Sequence, residues 1–414
     1  MSAQPQQIQL SQEQVSPWLA ALYVLLLVGF PVVAMVAMLL HLDSQQVTVP
    51  FRVLVAAVAL GALASWYGRG VRICFTVPVI ATLALWLCLI VRLVHGTLID
   101  PLPGSLGSPV SQVVLLSLGA CFLPALAFLE APSAATLAVA RRWAMWLGLF
   151  AMVAVLYVGL TGSANAVIFH RLGTTVLNPI SVGHLGVSIL ILCLSGSPST
   201  AATVRAGRIG LGLLSSAVVL ASVSRGPIAA ALVALLLVAF RRRDAGALST
   251  TRLALRVLLL GAVLGVIVYA VVYLQENDYV DVEERFFDVL QDSSAQERAH
   301  MLVSAWRGFL DHPWLGSSFV EVHSVTYPHN IVVESLMATG VVGFALLCFN
   351  LSGALMAAFG LVRHATPYAW IGLVFIQYVL NGLSSGSLFL DASYWSFGFA
   401  ALALAESNKQ ARLL

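Results

Sequence analysis

Charge is what this 414-residue chain has least of: Asp, Glu, Lys and Arg make up 9% of it, against about a quarter in an average soluble domain. Lysine is nearly absent, with Lys409 standing alone beside 20 arginines. A soluble fold of this length needs more charge to cover its surface, so one large soluble domain is excluded. Disorder is excluded as well, because it needs low hydrophobicity and high charge. The net charge is only +3, and no basic stripe lies outside the short hydrophilic turns, so no nucleic-acid partner is expected. Cysteine is scarce. Cys74, Cys88, Cys121, Cys193 and Cys348 all fall in apolar stretches without metal-ligand spacing, and no disulfide is expected. The polar, Gln-rich start has no basic n-region, so a cleavable signal is not expected and the first apolar segment reads as a retained span.

Apolar residues fill the chain instead, at 60%, with a mean hydropathy of +0.94. A spanning helix needs roughly 20 such residues. Stretches of this kind lie near 18–41, 51–67, 73–95, 109–129, 143–162, 180–195, 208–223, 227–240, 257–274, 330–361, 367–381 and 388–405. The expected fold is an all-α polytopic membrane protein of about 12 transmembrane helices. Its expected divisions are a cytoplasmic tail at 1–17, nine spans in 18–274, a large periplasmic loop at 275–328, three spans in 329–405 and a cytoplasmic tail at 406–414.

Orientation follows from the basic residues. With the N-terminus cytoplasmic, the inside turns and tail hold Arg69, Arg72, Arg141, Arg142, Arg205, Arg208, Arg241, Arg242, Arg243, Arg252, Arg256, Arg363, Lys409 and Arg412, which is 14 of the 21. The short outside turns hold Arg52, Arg92, Arg171 and Arg225, and the large loop holds Arg285, Arg298 and Arg307. Both termini are therefore expected inside. The large loop carries ten of the 18 acids, and helical apolar spacing recurs in DVEERFFDVLQD and in ERAHMLVSAWRGFLDHP. Two amphipathic helices over the membrane surface are expected there.

The sharpest local pattern runs from Pro313–Trp314–Leu315–Gly316 to Tyr327–Pro328–His329–Asn330, followed by a helix with Glu334, Gly340 and Gly343. Pro328 restricts its predecessor to extended geometry and suits a helix start. His329 and Asn330 thus fall at the first turn of a late membrane helix on the outer face. An imidazole with an ordinary pKa of about 6.5 can take and return a proton there. Glu334, one turn on, is placed to orient Asn330 or His329. Tyr327 also reads as an interfacial anchor, and the two glycines read as close-packing positions. Asn381, Ser384, Ser385, Asp391 and Tyr394 line the last outer turn, where they could meet sugar hydroxyls. The loop histidines match no standard metal-ligand spacing.

Here the sequence resembles a family. His329–Asn330, nine residues, Gly340, two residues, Gly343 is similar to the signature of the bacterial O-antigen ligase family and its polymerase relatives. Arg298–Ala–His–Met–Leu302 resembles that family's Arg–x–x–x–Leu element in the large loop. Ser224–Arg225–Gly226–Pro227 resembles its arginine at an outer helix junction, and Arg171 followed by Leu177–Asn178–Pro179 its upstream turn. The resemblance covers about 171–345 and the overall plan.

The resemblance implies an inner-membrane glycosyltransferase working on the periplasmic side. It would move a glycan from undecaprenyl diphosphate to a sugar hydroxyl of the lipid A–core, with His329 as general base and inversion at the anomeric carbon. Arg225, Arg298 and Arg171 would hold the diphosphate, since a guanidinium binds phosphate oxygens in pairs and stays charged. Tyr327, Asn330 and Glu334 would support them. No cofactor and no metal are expected, because the loop acids are scattered. A polymerase using the same donor and a protein glycosyltransferase differ only in the acceptor. A lipid-linked glycan transporter is the reading from another class. It should show repeats and midplane charge, whereas the unusual residues here cluster at one face, with Arg92 the nearest to a buried charge.

Overall fold

The computed structural model describes residues 15–42, 44–69, 73, 75–96, 116–161, 167–168, 171–174, 176–195, 201–240, 293–321, 326–364 and 366–413. The expected span 257–274, the first amphipathic segment of the loop and Arg285 lie outside them. The described chain is helical, apart from one antiparallel pair of two-residue strands, β1 (Val167–Ile168) and β2 (Arg171–Leu172). Six helices are long and apolar enough to cross a membrane: α1 (Pro17–Leu39), α2 (Ser44–Arg69), α3 (Val77–Val94), α5 (Ala134–Leu160), α7 (Ala202–Ala221) and α10 (Ile331–Arg363). Shorter apolar helices are α4 (Leu116–Leu129), α6 (Pro179–Leu194), α8 (Arg225–Phe240) and α11 (Ala369–Ser384). An amphipathic helix, α9 (Ser293–Asp311), and a final one, α12 (Ala392–Leu413), complete the set. The chain is an integral membrane protein. Its exposed surface agrees: Leu54, Leu60, Leu87, Trp146, Val153, Leu213 and Met356 face outward, as side chains do when the solvent is lipid.

Local chemistry starts several of these helices. Asn178 caps α6, its Oδ1 accepting from the Ser181 amide at 2.8 Å, and Pro179 fills the first helical position, where no amide is needed. Ser133 caps α5 through the Thr136 amide. In α1 the stretch Leu25–Gly29 winds as a π-turn just before Pro31. The Leu26 carbonyl there accepts from Tyr378 of α11 at 3.3 Å and Ser393 of α12 at 3.1 Å. A local defect in one helix thus becomes a tie to two others.

The core is aromatic at the crossing of α1, α4, α11 and α12. Tyr23 meets Phe128, Trp370 and Phe397 within 4.6–5.8 Å. Trp86 of α3 stacks on Phe122 at 4.4 Å and meets Trp395 edge-on. Between α6 and α11 the contact is polar. The Gln377 amide donates to the His184 carbonyl at 3.1 Å and to Ser188 Oγ at 3.0 Å. Such bonds hold membrane helices together where apolar burial gives no drive.

α10 departs from the expected uninterrupted span. Gly340 sits at φ 63°, ψ −162°, a conformation closed to residues with a Cβ, and it breaks the helix. The break is filled by the turn at Pro313–Ser317. The Val341 amide donates to the Pro313 carbonyl and the Ser317 amide to the Met337 carbonyl, both at 2.8 Å. Gly316, at φ 73°, makes the matching approach, and a Cβ there would lie 2.4 Å from the Met337 oxygen. Arg92 of α3 completes the junction, donating to the carbonyls of Ala338 (2.9 Å), Ser317 (3.1 Å), Leu315 (2.6 Å) and Gly316 (2.7 Å). Gly340 is therefore a backbone requirement, not the helix-packing position its neighbours suggested.

Candidate functional site

Three turns converge beside the first turn of α10. The first carries Tyr327–Asn330. The Asn330 carboxamide caps α10 by accepting from the amides of Val332 (3.0 Å) and Val333 (3.2 Å), while its Nδ2 donates to the Leu383 carbonyl at 2.8 Å. One side chain thus starts the helix and fastens it to the end of α11. His329 stands at φ 56°, unusual for a residue with a side chain. Its ring packs against Tyr327 with centroids 4.5 Å apart. Its Nδ1 lies 3.4 Å from the Ser385 carbonyl. A carbonyl only accepts, so this contact favours a proton on Nδ1, and in the neutral ring that leaves the lone pair on Nε2.

The second turn joins α11 to α12. Glu334, fully buried, accepts from Ser387 Oγ at 2.7 Å and from the Leu388 amide at 2.8 Å. Through these bonds it fixes the turn whose Ser385 carbonyl meets His329. Asp391 accepts from the Tyr394 amide at 2.9 Å and from Asn381 Nδ2 at 3.3 Å.

The third turn joins α7 to α8. Val223, a β-branched residue at φ 45°, forces the sharp reversal from which the exposed Arg225 opens α8. Gly226 packs against Ser384, so this helix start abuts the end of α11, next to Ser385. Of the three non-glycine residues with positive φ among those described, two stand at these turns, Val223 and His329. Backbone strain of this kind concentrates where function demands it.

α9 supplies the remaining cation. Arg298 is half-buried and lies within electrostatic reach of both His329 and Tyr327. Met301 and Ala305 of α9 are buried, while Val303, Trp306 and Leu310 form an outward apolar row. That is the division expected of a helix lying at a membrane surface. Ser304 hydrogen-bonds Glu321, which holds the helix to the segment leading into the site. Arg171 is placed by its backbone in β2, seven residues before Asn178.

Tyr327, Asn381, Ser385, Ser387 and Asp391 border a cavity of about 390 Å3, while His329, Arg225 and Arg298 stand outside its described lining. One wall is apolar, from Leu25, Phe30, Phe51 and Leu116, and the other carries Asn178, Tyr327, Asn381 and Asp391. Arg52 of α2 and His184 of α6 also reach it. Sequence reasoning gave Arg52 no role and passed over His184, although an ionisable group inside an apolar span is a signal in itself. Burial holds the His329 imidazole below its ordinary pKa. The Ser385 carbonyl opposes that shift, Arg298 adds to it and Glu297 opposes it. Burial likewise raises the Tyr327 phenol, aided by Glu334 and Asp391 and opposed by Arg298 and Arg52. Among the described residues no group of three or more His, Cys, Asp or Glu is arranged to hold a metal ion.

The family model described as O-Antigen ligase matches residues 210–348. The matched stretch spans Arg225, Arg298, His329 and the Gly340 break. Members of that family are glycosyltransferase-like ligases and polymerases. Among curated proteins, none matches the chain.

Proposed function

With residues 210–348 carrying the O-antigen ligase family's domain, we propose that the protein transfers a glycan from undecaprenyl diphosphate to a sugar hydroxyl of the lipid A–core, at the periplasmic face of the inner membrane. The observation that carries this reading is the setting of His329, whose Nδ1 lies 3.4 Å from the Ser385 carbonyl; a proton held on that nitrogen leaves Nε2 of the neutral ring to act as a base.

In the proposed step the acceptor hydroxyl gives its proton to Nε2 as its oxygen attacks the anomeric carbon. The bond from that carbon to the diphosphate oxygen breaks, with inversion, and undecaprenyl diphosphate leaves as the anion. Arg298 lies within electrostatic reach of the imidazole, and Arg225 opens α8. Both neutralise charge that grows on the leaving group, where fixed cations act most strongly. The same role is assigned to Arg171, in β2. Tyr327 braces the imidazole, Asn330 sets the helix start and Glu334 holds the Ser385–Leu388 turn. The apolar wall of the cavity suits a substrate that is itself lipid-bound. Holding two such substrates in reacting geometry supplies a large share of the rate gain.

The test is transfer by the purified protein in detergent from a lipid-diphosphate glycan, offered lipid A–core in one arm and a second lipid-linked glycan in the other. Product on lipid A–core is expected. Elongated lipid-linked product alone would make the protein a polymerase. Neither product, from folded protein with matched donor, would remove the reading.

A further inference from the structure

A second cavity, of about 550 Å3, lies at the other end of α6 from His329. The N-terminal end of α6, at Asn178, borders the first cavity, and its C-terminal end, at Leu192, lies under the second groove. The 16 residues between make a helix of roughly 24 Å, so the two places do not touch. The groove runs between the first halves of α5 and α7. Arg141, Arg142 and Arg208 line its mouth, and no acid is among its described lining residues. Arg141 and Arg208 lie close enough to repel one another. Arg141 is held in place by its Nη2, which donates to the Leu192 carbonyl at 2.6 Å, and its buried Nε has no hydrogen-bond partner. The bare Nε of Arg141, with Arg142 beside it and no acid among the described lining residues, calls for an anion.

The rest of the groove says which kind. One turn deeper along α5 stand Met145, Trp146 and Leu149, and along α7 Leu211. Trp146 is 64% exposed, in the manner of an indole at a membrane–water boundary. Charge at the mouth and an apolar floor beneath it, on helices that both enter from the same end, repeat the profile of a phospholipid. A free phosphate would have no use for the floor, and an acidic peptide would leave it bare. We propose that this groove binds an anionic membrane phospholipid, its phosphodiester in the Arg141–Arg142–Arg208 fork and an acyl chain along Met145, Trp146 and Leu149. Guanidiniums suit phosphate oxygens by shape as well as charge, and basic pockets between membrane helices take such headgroups. A lipid seated there ties α5, α6 and α7 together at the end away from the reaction. The proposal does not rest on the transfer reading and stands or falls apart from it.

The experiment uses the full-length protein in detergent, delipidated and then exposed to phosphatidylglycerol, phosphatidylcholine or inorganic phosphate. Native mass spectrometry reads retained lipid, and thermal unfolding reads the shift in Tm. Phosphatidylglycerol is expected to be retained and to raise Tm, with the other two doing neither. Each arginine near a lipid surface contributes roughly fivefold in binding, so Arg142→Gln with Arg208→Gln should cut retention at least about tenfold. Arg141 is left intact because it also holds the Leu192 carbonyl. Trp146→Ala, which removes no charge, serves as the second variant and should weaken retention while the Tm of lipid-free protein holds. Equal retention of the two lipids would overturn the proposal. So would unchanged retention in Trp146→Ala, or an equal shift from inorganic phosphate, which would reduce the site to one for free anions.

Discussion

His329 is the residue on which the reaction is expected to turn. Removing a positioned general base costs typically 10²–10⁴-fold in rate. His329→Ala should therefore lose transfer by at least about a hundredfold, while its elution profile and helical circular dichroism match the parent. Activity near the parental level in that variant would take the base role from it. The acid limb of the pH–rate profile follows from the same side chain. Only the neutral imidazole accepts a proton, so activity falls as pH drops through its pKa. Burial and Arg298 depress that pKa, which puts the limb below the ordinary histidine value of about 6.5. Arg298→Gln removes one depressing charge. Its residual activity should show the limb moved to higher pH, together with weaker use of donor. A limb that stays in place would separate Arg298 from His329.

At the scale of single elements, α10 decides how well the site is held, and its broken geometry is the feature least readable beforehand. Gly340→Ala puts a Cβ 2.3 Å from the Trp314 carbonyl carbon, in a backbone conformation that itself costs of order 1–3 kcal/mol. The variant should lose several degrees or more of Tm and most of its activity, as measured on detergent-solubilised protein; unchanged Tm and activity would mean the turn can yield there. The start of the same helix was legible, because Pro328 and Asn330 are local signals: a restricted backbone and a capping carboxamide one residue apart. Gly340 was legible only as a small residue. Its partner, the Pro313–Ser317 turn, meets it through backbone atoms, which leave no trace in side-chain chemistry. Arg92 stood out as a charge within an apolar run, yet its carbonyl partners lie more than 220 positions along the chain. Nothing in a one-dimensional pattern joins such positions. His184 was missed for the opposite reason, since a single histidine inside α6 has no neighbouring motif to mark it. α9 was foreseen from its apolar spacing, and its observed range agrees with the ERAHMLVSAWRGFLDHP segment.

The molecule as a whole sorts its few charges by end. Arg52 lines the first cavity and Arg298 lies within electrostatic reach of Tyr327 and His329 beside it, while Arg141, Arg142 and Arg208 line the second, at the far end of α6. The positive-inside rule assigns the second group to the cytoplasm. Single-cysteine reporters in a variant without its five cysteines test this directly: a cysteine at Trp314 should react with an impermeant maleimide in cells whose outer membrane has been permeabilised, and one at Arg142 only after lysis. The reverse pattern would invert the protein and move the reaction to the wrong compartment. The junction at Gly340 also has a bearing on biosynthesis. Every partner that closes the break in α10, from Arg92 to the Pro313–Ser317 turn, precedes it in the chain. When the ribosome releases α10, the groups that will receive its unpaired carbonyls and amides have already been made. The broken helix need never wait in the bilayer with bare backbone, and the early spans serve as the template on which the late, reactive end of the protein is assembled.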